Sequence, residues 1–315
     1  MKILRNSLLL TLAVAIAVFI YVLGFRNEFL KGIFDVISDP TRQGQIEEDY
    51  TRPQINTALR YTFRSARVNP LRRERGYAYE FAFEIGSNLP YLLDRFVFTP
   101  GNTEGQIPGI SLFGSRNSSN ELLYRQYLRS RIDLRRYQQL RPGNVFAWKV
   151  IAGMALPTGR QKLVPFDRRF YAGGASSVRG WDLRELGPGA SSAEADSRQF
   201  FLGGDIKLET SIELRNTLVR DVLAADWIVT FFGDAGNVWL GPRNETAQEL
   251  GGVFKLDSFY RELGVGAGMG LRLAWEYLIV RLDLAYQVHN PALEGAIFQQ
   301  PFSEPRLHFG IGHAF

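Results

Sequence analysis

The sequence contains no cysteine, which excludes a disulfide scaffold, thiolate metal sites and thiol catalysis. Histidine is nearly missing as well. There are 3 in 315 residues, which argues against a histidine-based zinc centre. Charge of either sign is not in great excess: 37 Lys and Arg against 32 Asp and Glu leave a net +5. The basic residues are spread along the chain, so nothing calls for a nucleic-acid partner. After the first 25 residues there is no long apolar run, which excludes a multi-helix membrane protein. No Gly-x-Ser-x-Gly elbow occurs, and no Ser and His are placed as a catalytic pair. The expectation is a protein with no catalytic residues, no metal and no cofactor.

What the sequence does have is aromatic and glycine content, with 23 Phe, 13 Tyr and 31 Gly. Hydrophobic residues at 45% and charged residues at 22% exclude general disorder. This is the composition of a β-rich protein, and an exported bacterial one fits it. The length would divide into two ordinary domains, but a single β-barrel absorbs it.

Residues Asn6 to Phe25 carry no charge; Lys2 and Arg5 precede them and Arg26 follows. Three readings stand: a signal peptide, although no clear Ala-x-Ala site follows; one membrane-spanning helix; or strand sequence at the start of a truncated barrel. Residues 1–50 are therefore taken as an apolar start plus linker, and residues 51–315 as the barrel region.

From residue 51 onward the pattern has period two. Tyr77, Tyr79, Phe81 and Phe83 alternate with Ala78, Glu80, Ala82 and Glu84. Asp205, Lys207, Glu209, Ser211 and Glu213 alternate with Ile206, Leu208, Thr210, Ile212 and Leu214. Gly264, Gly266, Gly268, Gly270 and Arg272 oppose Val265, Ala267, Met269, Leu271 and Leu273. Alternation marks strands with two unlike faces. Here the polar face carries full charges in mid-strand, and the apolar face carries aromatics near strand ends. Lipid outside and a polar lumen inside explain both. Strands are expected near 54–65, 77–87, 123–137, 145–157, 199–214, 226–236, 262–273, 276–288 and 306–315. The fold class is all-β, an antiparallel transmembrane barrel or the C-terminal part of one. Short connections such as Arg141-Pro142-Gly143 contrast with long ones, the longest being a loop over 158–198.

That loop contains Arg168-Arg169-Phe170-Tyr171-Ala172-Gly173-Gly174-Ala175-Ser176-Ser177-Val178-Arg179-Gly180-Trp181. Further on stand Gly203-Gly204 with Glu213 nine residues later, Phe231 to Trp239 with Asp234, and the ending Phe309-x-Ile311-x-x-x-Phe315. In this order they resemble the C-terminal barrel region of the BamA/TamA-like outer-membrane assembly superfamily, also called the bacterial surface antigen family. The resemblance implies a loop folded back into the lumen, with Val178, Arg179, Gly180 and Trp181 at its tip. It further implies that Arg179 inserts between Glu213 and Asp234, both on inward faces, and that Phe309, Ile311 and Phe315 form an assembly signal. Alternation puts Phe315 on the lipid face with Phe309 and Ile311. Gly173 and Gly174 supply the backbone freedom a tucked loop needs.

The family carries soluble periplasmic domains ahead of a barrel of about sixteen strands, whereas nine or ten strands are visible here. The chain is therefore expected to be a C-terminal fragment, a compact variant with further strands, or half of a larger assembly, the fragment being preferred. The implied function is assistance to insertion or translocation of proteins at the bacterial outer membrane, without bond chemistry. Implied partners are outer-membrane lipid, unfolded outer-membrane or secreted clients, and other assembly subunits. The alternatives are a passive outer-membrane pore and the barrel tail of a membrane-anchored enzyme.

Overall fold

The computed structural model describes residues 56–69, 73–93, 96, 109–110, 122–158, 164–190, 203–242, 252–293 and 305–315. The apolar start lies outside the described residues. Nine strands form one sheet: β1 Ala58–Val68, β2 Gly76–Gly86, β3 Tyr127–Arg141, β4 Asn144–Pro157, β5 Ile206–Val222, β6 Ala225–Trp239, β7 Gly264–Ala274, β8 Ile279–His289 and β9 Arg306–Ile311. Each pairs antiparallel with its neighbour in chain order. Among the described residues β1 and β9 are the two edges and are not paired to each other. A six-residue helix, Asn88–Leu93, follows β2.

The sheet has the two faces that the alternation requires. In β5 the side chains of Glu209, Ser211, Glu213 and Arg215 are buried, while Thr210, Ile212 and Leu214 are exposed. Phe231, Met269, Leu282, Leu307 and Phe309 are exposed on the same outer side of later strands. In water this would be an aggregating surface; against lipid it is the expected wall. Inner-face charges pair across strands, as in Arg60 to Glu84 and Arg64 to Glu80, each at 2.7 Å.

Short connections lie at one end of the strands. Pro142-Gly143 joins β3 to β4, with Gly143 at φ +86°, and Leu223-Ala224 joins β5 to β6. The connections from β2, β4, β6 and β8 to the next strand are long and lie at the opposite end.

Three expectations are corrected. β5 begins at Ile206, not 199, because Gly204 is bridged to Phe170 of the loop instead of to a strand. β5 also runs on to Val222, past the expected end at 214. The third concerns the chain end: β9 stops at Ile311, and Phe315 is not on the lipid face. Gly312, at φ +85°, turns the chain inward, and Phe315 is 2% exposed while Phe309 and Ile311 are 65% and 71% exposed. A left-handed backbone at this point is open to glycine at little cost, so alternation fails one residue after pairing ends.

Candidate functional site: a loop anchored inside the barrel wall

The described part of the long loop, residues 164–190, lies against the inner face of the sheet. Its base is tied by Phe170 and Gly204, whose amides donate to each other's carbonyls at 2.8 Å. Higher up, Leu186 N donates to Ala172 O at 3.2 Å and Gly174 N to Trp181 O at 3.0 Å, which makes a narrow doubled-back strap. Gly173, Gly174 and Gly180 have φ of +96°, +102° and +107°, so the strap turns where the sequence offers glycine. Val164, Phe170, Ala172, Val178, Trp181 and Leu186 of the loop form an apolar cluster with Ala155 of β4 and Val238 of β6. The loop thus brings its own core into a lumen whose walls are charged, and that burial favours the tucked position.

Arg179 is 1% exposed at the tip. Its Nε and Nη2 donate to the two oxygens of Asp234 at 2.7 and 2.9 Å, and its backbone N donates to Asp234 Oδ2 at 3.1 Å. Nη1 donates to Glu213 Oε1 at 2.8 Å and to Asp283 Oδ2 at 3.4 Å. The planar guanidinium lies over the Phe232 ring, 3.4 Å from its centroid. A fork of fixed donors suits two carboxylates on neighbouring strands, as a lysine's single ammonium does not. Burial acts against the Arg179 charge, but Asp234 and Glu213 outweigh it and raise the pKa above its ordinary value.

The sequence expectation named Arg179, Glu213 and Asp234, and the fold brings these three together. It did not name the residues around them. Glu213 also accepts from Arg272 at 2.7 Å and Arg215 at 2.9 Å. Asp283 accepts from Arg281 at 2.5 Å. The tip is gripped from the last two strands as well, since Gln287 Nε2 donates to Gly180 O at 2.8 Å and Gly180 N to His308 Nε2 at 3.3 Å. Arg272 stood on the polar face of its strand in the alternation; which polar residues would meet was not readable from it.

A second anchor was missed altogether. Ser177 Oγ donates to Glu209 Oε2 at 2.5 Å, and Lys149 Nζ donates to Glu209 Oε1 at 2.5 Å and to Ser176 O at 3.1 Å. Lys207 Nζ bridges Glu209, at 2.7 Å, to the Tyr171 carbonyl, also at 2.7 Å.

Trp181 is 3% exposed and sits against the glycines of β7. A methyl built on Gly264 would stand 3.1 Å from Trp181 Cη2, and one on Gly266 would collide with the Arg179 carbonyl. Gly264 and Gly266 therefore make room for the loop. Among the described residues no group of three His, Asp or Glu is placed to hold a metal.

An antiparallel sheet, apolar outside and charged inside, with a long loop pinned along its inner face, defines the class of outer-membrane barrels with an inserted loop. The Omp85 superfamily domain matches residues 47–315, and the chain belongs to that family. Family members are β-barrel proteins of the bacterial outer membrane, which is this chain's location. Outer membrane protein assembly factor BamA of Neisseria meningitidis serogroup B (strain ATCC BAA-335 / MC58) is 36% identical over 89 residues, which is 28% of this chain and 11% of that protein. BamA from Haemophilus ducreyi, in a crystal structure lacking POTRA domains 1-3, is similar at 17% identity with a TM-score of 0.44, covering 81% of this chain and 53% of that one. The chain thus spans only a part of the relatives it matches.

Proposed function

We propose that residues 51–315, with their lumen loop, assist the insertion or translocation of unfolded polypeptides at the outer membrane, without making or breaking covalent bonds. The observation that carries this reading is the buried grip of Asp234 and Glu213 on Arg179. Such a grip gives the loop one well-defined position inside the wall and a discrete way to leave it. Membership of an outer-membrane assembly and translocation family supports the same reading. The partners this implies are lipid, unfolded outer-membrane or secreted clients, and further assembly subunits. A passive pore fits less well, because the loop lays an apolar cluster of its own against the inner face of the wall.

The test is reconstitution of the chain in lipid vesicles. The wild type is expected to speed the folding of a urea-denatured outer-membrane barrel and to show no stable large conductance. Arg179→Met should lose the acceleration while staying inserted. A large steady conductance with no acceleration of folding would overturn the proposal.

A further inference from the structure

Both loop anchors lead, through their cations, to one aromatic ring. Lys149, which holds Glu209 and the Ser176 carbonyl, lies 5.3 Å from the centroid of Phe315. Arg215, which holds Glu213, lies 5.5 Å from the same centroid. Its Nη2 also donates to the main-chain O of Phe315 at 3.3 Å. The ring is buried with Tyr137 of β3 and Ala147 of β4, and Val68 of β1 packs against this group. Yet Phe315 follows β9, whose ladder partner is β8. After Gly312 the chain has left its own strand and reached the inner face of strands far from it in the sheet order. A cavity of about 660 Å³ opens beside this place at the short-turn end, lined by Val145, Arg215, Thr217 and His313 among others.

We propose that Tyr137, Ala147, Lys149 and Arg215 form a binding site for an aromatic side chain with a main-chain oxygen beside it, that Phe315 fills it in cis, and that its filling sets how firmly the loop is held. A ring face attracts cations that water no longer fully solvates. With the ring in place, Lys149 and Arg215 are kept next to Glu209 and Glu213. With the ring gone, water enters from the adjoining cavity, the two cations are solvated and free to turn, and each anchor carboxylate loses part of its partner's time. An aliphatic residue would fill the space without offering the cations a negative face. The inference goes beyond the proposed function, which needs Arg179 alone and no contribution from Phe315.

The test uses Val178→Cys as a reporter. Val178 is 0% exposed in the loop cluster, and the chain has no other thiol. Labelling by a small thiol reagent is followed in the full chain, folded in lipid vesicles. Phe315→Ala should label about tenfold faster than the parent, the factor that about 1.4 kcal/mol carries. Phe315→Tyr should stay near the parent, and Phe315→Leu should fall between. Adding toluene to Phe315→Ala should slow labelling again. Labelling of Phe315→Ala at the parent rate overturns the inference, and so does Phe315→Leu matching Phe315→Tyr. If Phe315→Ala does not fold, the Leu and Tyr pair decides. Arg179→Met in the same assay separates the two ideas. Faster labelling there, with none in Phe315→Ala, overturns this inference alone; no change in either removes the Arg179 lock as well.

Discussion

Replacing Arg179 by alanine should destabilise the folded chain more than replacing Asp234 by asparagine, and the structure says why. Without the guanidinium, Glu213 keeps Arg272 and Arg215, and Asp283 keeps Arg281. Asp234 keeps the backbone N–H of residue 179 but loses its cation, since Arg179 is its salt-bridge partner among the described residues. A fully buried carboxylate left without its cation costs on the order of 3–5 kcal/mol, the usual loss when one side of a buried pair is removed. The converse change is milder. In Asp234→Asn, Arg179 still has Glu213 at 2.8 Å and Asp283 at 3.4 Å, and the amide oxygen still accepts from it. The expected loss is that of weakened charged hydrogen bonds, about 1.5–3 kcal/mol. Urea titration in vesicles, read by the shift of the folded band in cold SDS gels, gives both values. A cycle with the double variant isolates the pair, whose coupling should exceed about 1 kcal/mol, well above the non-additivity of distant sites. If Asp234→Asn costs as much as Arg179→Ala, or the coupling vanishes, the electrostatic account of the loop is wrong.

Four further outcomes are expected. Trp181→Ala should cost about 3–5 kcal/mol by emptying the loop cluster, and should raise Val178→Cys labelling without abolishing the Arg179–Asp234 coupling. Gly266→Ala should be costly because its methyl meets the Arg179 carbonyl, whereas Gly233→Ala, whose nearest neighbour is Ile212 Cγ1 at 3.6 Å, should change the urea midpoint little. Deleting Phe315 should impair membrane insertion more than Leu307→Ala, because Phe315 is buried and Leu307 is 63% exposed; equal insertion yields would contradict this. Burial pushes the Asp205 carboxyl above its ordinary pKa despite Arg169 and the Gly241 amide. A raised carboxyl stabilises at low pH and loses that contribution as pH climbs above roughly 4. Asp205→Asn should therefore flatten this part of the stability profile between acid and neutral pH, as followed by urea midpoints.

The strands were legible because each face of the wall meets a different solvent, so every inward position in β5 from Glu209 to Arg215 differs from its outward neighbours. Their ends were not. Beyond the membrane both faces meet water, and Thr217 to Val222 carries no contrast to mark that pairing continues. The chain end misled for a related reason: period two says which way a paired residue points, and it cannot say that pairing has stopped at Ile311. The loop tip was legible through its motif and the two carboxylates that the resemblance attached to it. Lys149 was not, because it stands on the inner face among Ala147, Ile151 and Gly153, where nothing local distinguishes an anchor from an isolated charge. Its meaning comes from Glu209, which the register sets opposite Ile151, two residues along the same face, and from a loop arriving between them.

The count of strands has a directional consequence. Odd-numbered strands all run from the long-loop end to the short-turn end, and both edges of the sheet, β1 and β9, are odd. Brought together they would run in parallel, so the nine strands of the described residues cannot by themselves close as an antiparallel wall. Backbone groups along an unpaired edge cannot be left facing lipid, where no water is present to satisfy them. Whatever covers the free side of β1 in antiparallel pairing must climb from the short-turn end to the long-loop end, the end at which the chain enters Ala58. The free side of β9 asks for the same direction. A single ascending strand has two sides and serves both edges; any odd number of added strands does the same, and an even number does not.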